Sequence, residues 1–327
     1  MKSSGIGGQA VMEGIMMRHG DEYSIAVRKP DQDIEVKVEP YKPFIKNKKL
    51  LKLPIIRGVF SFIDSLVIGT KCLMYSASFF EEEEEEVKKK EEKKSKMTPQ
   101  ELKKQEDREK KHEKWLMYGT VAFSVILSVA IFMMLPYFLT NLLRHVTNSE
   151  GLIALAESVL RIVIFLIYLA LISRMKDIQR TFEYHGAEHK CINCIEHGME
   201  LNVENVLKSS REHKRCGTSF LFFVMIVSAV FLMLIRVDSH VWRIVIRLLL
   251  IPVIAGVSYE IIYLAGRSDN PLVNLLSKPG LLLQRMTTRE PDAQEAEVAI
   301  RAVEAVFDWR AYLAENFGYE YMENSDE

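Results

Sequence analysis

Apolar side chains are unevenly spread along this chain. They gather in runs at 115–139 (WLMYGTVAFSVILSVAIFMMLPYFL), 152–172 (LIALAESVLRIVIFLIYLALI), 219–235 (SFLFFVMIVSAVFLMLI) and 241–265 (VWRIVIRLLLIPVIAGVSYEIIYLA). A helix needs roughly 20 mostly apolar residues to cross the hydrocarbon core of a bilayer, and each run comes close to that. The pattern predicts a mainly α membrane protein with a four-helix transmembrane bundle over 115–265. A further stretch, 53–80, is apolar but carries Arg57, Asp64 and Lys71 at seven-residue spacing. On a helix this spacing places the charges close to one face. It reads as an amphipathic interfacial helix, with a fifth crossing as the rival reading.

The polar segments have their own periods. In 1–52, the runs 23–28 and 34–39 alternate around KPDQD, which is strand, turn and strand chemistry. GGQAVMEG at 7–14 is either a third strand or a glycine-rich loop. Residues 81–114 are almost wholly charged and read as a solvated linker or a single exposed helix. The last segment, 266–327, first suggests short surface helices broken by Pro271, Pro279 and Gly280. One amphipathic helix is expected after them, with Pro291 in its first turn and Ala296, Ile300, Val303 and Phe307 on one stripe.

Charge orients the chain. Lysine and arginine crowd 81–114 and 173–218, while 140–151 and 236–240 carry one arginine each. The positive-inside rule predicts a multi-pass protein of the cell membrane with both termini and the 173–218 loop in the cytoplasm. The opening residues lack a continuous apolar core, so no cleavable signal is expected. A formal net charge of −1 gives no case for nucleic acid. Membrane lipid is the expected neighbour, and the sequence names no protein partner.

The cytoplasmic loop concentrates the chemistry. Residues 184–220 hold three of the four cysteines and four of the eight histidines. His185, Glu188 and His189 form H-x-x-E-H, whose members share one helical face. Two imidazoles a turn apart can grip zinc, and the carboxylate between them can take a proton from water that the metal acidifies. His213 and Cys216 offer a second pair of ligands, with Cys194 and Glu196 between the two pairs. Either His185, His189, His213 and Cys216 close a tetrahedron as a structural staple, or fewer ligands leave a position open for chemistry. A loop without metal, its histidines bonded to phosphates or carboxylates, is the third possibility. Cys191 and Cys194 spell C-x-x-C, but no thioredoxin-like pattern surrounds them. Glu260 lies seventy-one residues beyond His189, a spacing at which inverted-motif peptidases place a distant third ligand. Glu157 and Arg161, one turn apart, would reduce each other's cost in lipid.

GGQAVMEGIMMR (7–18), YHGAEHK (184–190), REHKRCGTSF (211–220), YEI (259–261) and PGLLLQRMTTREPD with EVAI (279–300) together resemble the YqhQ-like bacterial membrane proteins. That family has no assigned function and is described as predicted metal-dependent enzymes. The resemblance runs almost end to end. It implies roles for Glu13 and Arg18, for His185, Glu188 and His189, and for His213, Arg215 and Cys216. Cys194 and Glu196 also fall where the family often has such residues, whereas Cys191 replaces an expected threonine and Lys214 an expected proline. The expected activity is a zinc-dependent hydrolase at the inner membrane surface, acting on a lipid or a membrane-associated peptide. His185 and His189 would hold the metal, with Cys216 or His213 completing it and Glu188 as general base. Arg18 and Arg215 would steady an anion, and Glu13 would orient a histidine. A non-catalytic scaffold with a structural metal, and a transporter or metal sensor, are the alternatives.

Overall fold

The computed structural model describes residues 2–43, 45, 52–80, 99–234, 237, 239–266 and 270–320. Most of the glutamate and lysine stretch of the expected linker, 81–98, lies outside the described residues, as does Arg236. The chain divides into two compact units, residues 78–166 and the remainder.

The larger unit begins with a four-stranded antiparallel meander: β1 (Gly7–Val11), β2 (Gly14–His19), β3 (Glu22–Arg28) and β4 (Ile34–Pro40). The 23–28 and 34–39 runs are the β3–β4 pair, with Ile25 opposite Lys37. GGQAVMEG is strand and turn together, and Glu13 holds the turn at φ 46°. Alternation gives the sheet two working faces. One carries Gln9, Arg18 and Tyr23 toward α1 (Ile56–Ala77). The other carries Gly8, Met17, Ser24 and Ala26 toward α5 (Lys176–Glu196) and α10 (Ala293–Glu304), where Ser24 Oγ donates to the Ala302 carbonyl at 2.6 Å. This second face is the core. Ile15, Met17 and Ala26 pack there on Ala187, Cys191, Ile192 and Ile195 of α5, and on Ala296, Ala299 and Val303 of α10.

Between α5 and α10 run α6 (Val203–Lys208), α7 (Gly217–Leu234), α8 (His240–Ala265) and α9 (Pro271–Thr287), and α11 (Trp309–Phe317) ends the chain. Three expectations change here. The 173–218 loop is largely helical, because sheet and α10 bury its apolar side. The broken surface helices are one helix, α9, with Pro271 opening it and Pro279 inside. Gly280 lets α9 seat on α7, since a Cβ there would meet Ser219 Oγ at 2.9 Å. The single C-terminal helix is two. Pro291 precedes the first, whose start is fixed by Asp292 and Glu295 as a reciprocal capping box, and Asp308 caps the second on Ala311 N at 2.9 Å. The buried stripe of α10 is broader than expected and leaves Ile300 only half-buried.

In the smaller unit, α2 (Pro99–Val129) runs from the charged segment into the apolar run, followed by a π turn (Ala130–Met134) and α3 (Leu135–Asn141). Pro136 cannot donate to the carbonyl four residues back, that of Phe132. Arg161 Nε of α4 (Glu150–Ile172) donates to that carbonyl instead at 2.9 Å, while its Nη2 meets Glu157 at 2.8 Å. The helical pair read from sequence is therefore also a repair of the proline site. Among the described residues, five helical stretches are long and apolar enough to cross a membrane: Ile56–Ala77, Trp115–His145, Glu150–Ile172, Gly217–Leu234 and Val241–Ala265.

Candidate metal centre

The centre is built where α5 meets the start of α7. Gly186 lets the chain after α9 come against α5, since a Cβ would overlap the Arg289 carbonyl, and Arg289 N donates to the Phe182 carbonyl at 2.9 Å. This contact brings the Thr287 carbonyl to His185 Nδ1 at 2.8 Å. The Arg211 carbonyl takes His189 Nδ1 in the same way at 2.6 Å. Each imidazole thus donates from Nδ1 to the main chain, which leaves Nε2 to offer its lone pair to a metal or, when protonated, to donate to a thiolate. His185 Nε2 lies 3.2 Å from Cys216 Sγ, and ligand atoms of His185, His189 and Cys216 all fall within 4.8 Å of one another. Cys216 immediately precedes α7, and Thr218 N donates to its sulfur at 3.4 Å.

Electrostatics favour charge separation here. Burial raises the Cys216 thiol, but His185 and His189 outweigh it and hold the thiol well below its ordinary range. Burial lowers His185, yet the Cys216 sulfur and Glu188 carry it up to about 9. A thiolate at a helix N-terminus next to imidazolium is the state in which cysteine binds metal or attacks.

Glu188 is buried beside the cluster, its Oε2 4.0 Å from His185 Nε2. Burial raises its pKa, while His189, His185 and the nearby Gly8 amide pull it the other way. Gly8 has no room for a side chain, because a Cβ would sit 2.8 Å from Glu188 Cγ. The glycine-rich opening motif is therefore the floor of the site.

Other residues singled out in the sequence lie around this centre in different roles. His213 turns to Glu196 at 3.5 Å, with its ring centroid 5.7 Å from that of His189. Burial lowers the His213 pKa, although Glu196 opposes this. Glu196 also accepts from Ser4 N and Ser4 Oγ, each at 2.8 Å, and pairs with Arg215, which reaches Ser3 as well. Burial raises the Glu196 carboxyl, but His213 and Arg215 prevail and bring it to about 2. Glu13 does not orient a histidine; it pairs with Arg180 at 3.1 Å and accepts from the Tyr184 hydroxyl at 3.1 Å. Arg18 stacks over Tyr41 at 3.3 Å, on the sheet face opposite Gly8 and Glu188. Glu260 pairs with Arg57 and accepts from Ile55 N at 3.2 Å. Cys194 Sγ donates to the Glu200 carbonyl at 3.3 Å, and burial pushes its pKa up to about 11. Cys191 is buried in the core and its pKa is raised well above the ordinary value by burial.

Sequence reasoning missed the carbonyls of Thr287 and Arg211, for a main-chain oxygen has no residue signature. It also missed Gln284, fully buried, which accepts from His213 N at 2.9 Å and donates to the His213 carbonyl at 2.7 Å and Ser219 Oγ at 2.8 Å. A glutamine amid the apolar residues of PGLLLQRM was the available signal.

Residues 53–309 match the family model described as "Protein of unknown function (DUF1385)". The chain is 34% identical over 315 residues to "Uncharacterized protein YqhQ" of Bacillus subtilis (strain 168), covering 95% of this chain and 94% of that protein. No solved structure matches. With the match extending over most of its length, the chain belongs to the DUF1385 family, to which its YqhQ-like motifs pointed.

Proposed function

We propose that this protein is a membrane-bound, metal-dependent hydrolase of the zinc type, working at the cytoplasmic face with both termini in the cytoplasm. The observation that carries the reading is the pair of imidazoles, each fixed through Nδ1, converging with the Cys216 sulfur beside a buried glutamate. The donor set fits the ion. Nitrogen and sulfur ligands at zinc distances in a tetrahedron stand roughly 3.5 Å apart, and His185 Nε2 to Cys216 Sγ is already 3.2 Å. Two histidines and one cysteine form a three-ligand set of the kind catalytic zinc sites use, with a fourth position open. When bound, the metal supplies Lewis acidity and a water whose pKa falls to about 7.

The chain's own groups do the rest. Glu188, uncharged more readily than an exposed carboxylate, can take and return a proton. The close approach of Gly8 to the Glu188 side chain keeps its carboxylate in place. The Thr287 and Arg211 carbonyls hold the histidine tautomers. Substrate at such a site, next to the start of an apolar helix, is a lipid or a membrane-associated peptide. A closed structural staple has less support, because His213 Nε2 faces Glu196 Oε2 at 3.5 Å and is not among the ligand atoms that converge within 4.8 Å of one another.

The test is elemental analysis of purified protein beside variants. Wild type should carry one divalent metal per chain, and His185→Ala with His189→Ala should lose it. Glu188→Gln should keep metal and fold but abolish complementation of a deletion strain. Full complementation by Glu188→Gln would remove the catalytic reading, and metal-free wild type would remove the metal itself.

A further inference from the structure

We infer that α1, although long and apolar enough to cross, stays on the sheet's side of the bilayer and presses one face into the lipid headgroup region. The inference deepens the membrane half of the reading above and does not depend on the metal.

The first argument is contact length. Along α1, Asp64 accepts from the Tyr41 hydroxyl at 2.5 Å, and Gly69 lies against the Gln9 amide. Further on, Lys71 meets Glu39 and the Tyr23 hydroxyl, and Ser76 Oγ accepts from Met12 N at 3.2 Å. From Asp64 to Ser76 the helix therefore runs about 18 Å along the sheet at 1.5 Å per residue. That sheet ends in β4, whose Glu35 and Lys37 are exposed, so it belongs in water. The rest of α1, Ile56 to Ile63, is about 12 Å long, too short for a core of about 30 Å.

The second argument is parity. α5 packs on β1, and α10 packs on β2 and β3. The chain is therefore on the sheet's side at Pro40, at Lys176 and again at Ala293. An even number of crossings must separate each pair of these points. Among the described residues three apolar stretches lie between Pro40 and Lys176, so at least one of them does not cross. α1 has the lowest hydropathy of the three, 1.3 against 2.2 and 2.3. It is also the stretch bonded to the sheet.

The third argument identifies what α1 touches. Opposite its sheet face, Leu66, Val67, Leu73 and Met74 are 54%, 58%, 47% and 44% exposed. The N-terminal end of α1 seats on α8: Arg57 pairs with Glu260 and stacks over Tyr263 at 4.1 Å, and a Cβ on Gly58 would meet the Gly256 carbonyl at 2.8 Å. Tyr259 and Tyr263 fit the headgroup level at the end of a span. The apolar face of α1 continues the lipid-facing surface of that span. Phe62 touches Phe220 of α7, four residues beyond Cys216, with ring centroids 5.1 Å apart. α1 thus holds the candidate metal centre at the lipid surface.

Two cysteine-based measurements test this, and the four native thiols are all buried. In sealed vesicles, Lys42→Cys and Glu84→Cys, which flank α1, should react with an impermeant maleimide from the same side. Labelling from opposite sides overturns the inference. A nitroxide on Leu66→Cys or Leu73→Cys in lipid vesicles should collide with oxygen severalfold more than with a water-soluble nickel chelate, with Lys42→Cys the reverse. Dominance of the nickel chelate at both positions, or suppression of both collisions by covering protein, overturns the lipid contact. Metal content of the same samples reads the hydrolase proposal separately.

Discussion

Replacing Glu196 by glutamine removes one negative charge from a fully buried knot and little else. The carboxylate serves Ser4, Arg215 and His213, and so ties the first residues and the turn carrying Cys216 to the end of α5. Its pKa of about 2, against an ordinary 4.5, corresponds to roughly 3 kcal/mol of folding stability at neutral pH. The cost of breaking a buried ion pair, about 3–5 kcal/mol, agrees. Because the folded-state pKa is depressed, the contribution is complete above about pH 4.5 and is lost as pH falls toward 2. At pH 3 roughly 1 kcal/mol should remain. Thermal unfolding in detergent should therefore place Glu196→Gln well below wild type at pH 7, by roughly 6–12 °C, with the gap narrowing steadily between pH 5 and 3. An equal gap at pH 7 and pH 3, or no gap at pH 7, would refute the assignment of the knot.

Two further outcomes follow from the geometry. After chelation at pH 7, iodoacetamide should modify Cys216 before Cys191 or Cys194, since the first is held as thiolate and burial raises the others; peptide mapping showing Cys191 first would contradict this. Gly186→Ala should cost about 3 kcal/mol or more through overlap with the Arg289 carbonyl, read as loss of folded protein on gel filtration, and wild-type yield and melting would count against that contact.

What the sequence disclosed was local. Apolar length announced the spans, alternation announced the β3–β4 hairpin, and helical spacing announced the Glu157–Arg161 pair and the shared face of His185 and His189. Partners far apart in the chain left no such trace. Arg57, Asp64 and Lys71 could be placed on one side of a helix, but that Glu260, Tyr41 and Glu39 receive them depends on tertiary packing. For the same reason Glu260 reads as a ligand by spacing and is an ion-pair partner in space. Pro279 suggested a break because propensity weighs a proline alone, whereas α9 is held as one helix by its seat on α7. Arg18 shared a motif with Gly8, yet strand alternation sends the two to opposite faces of the sheet.

The candidate centre draws on Gly8, His185, Cys216 and Thr287, which spread over most of the chain. A ribosome must therefore release nearly the whole polypeptide before the pocket can close. The meander emerges first and keeps its oily side uncovered until α5 and later α10 arrive, with α7 and α8 made between them. Loading of the proposed metal would thereby fall at the end of biogenesis, since nascent or truncated chains have only scattered ligands to offer the cell's ion pool.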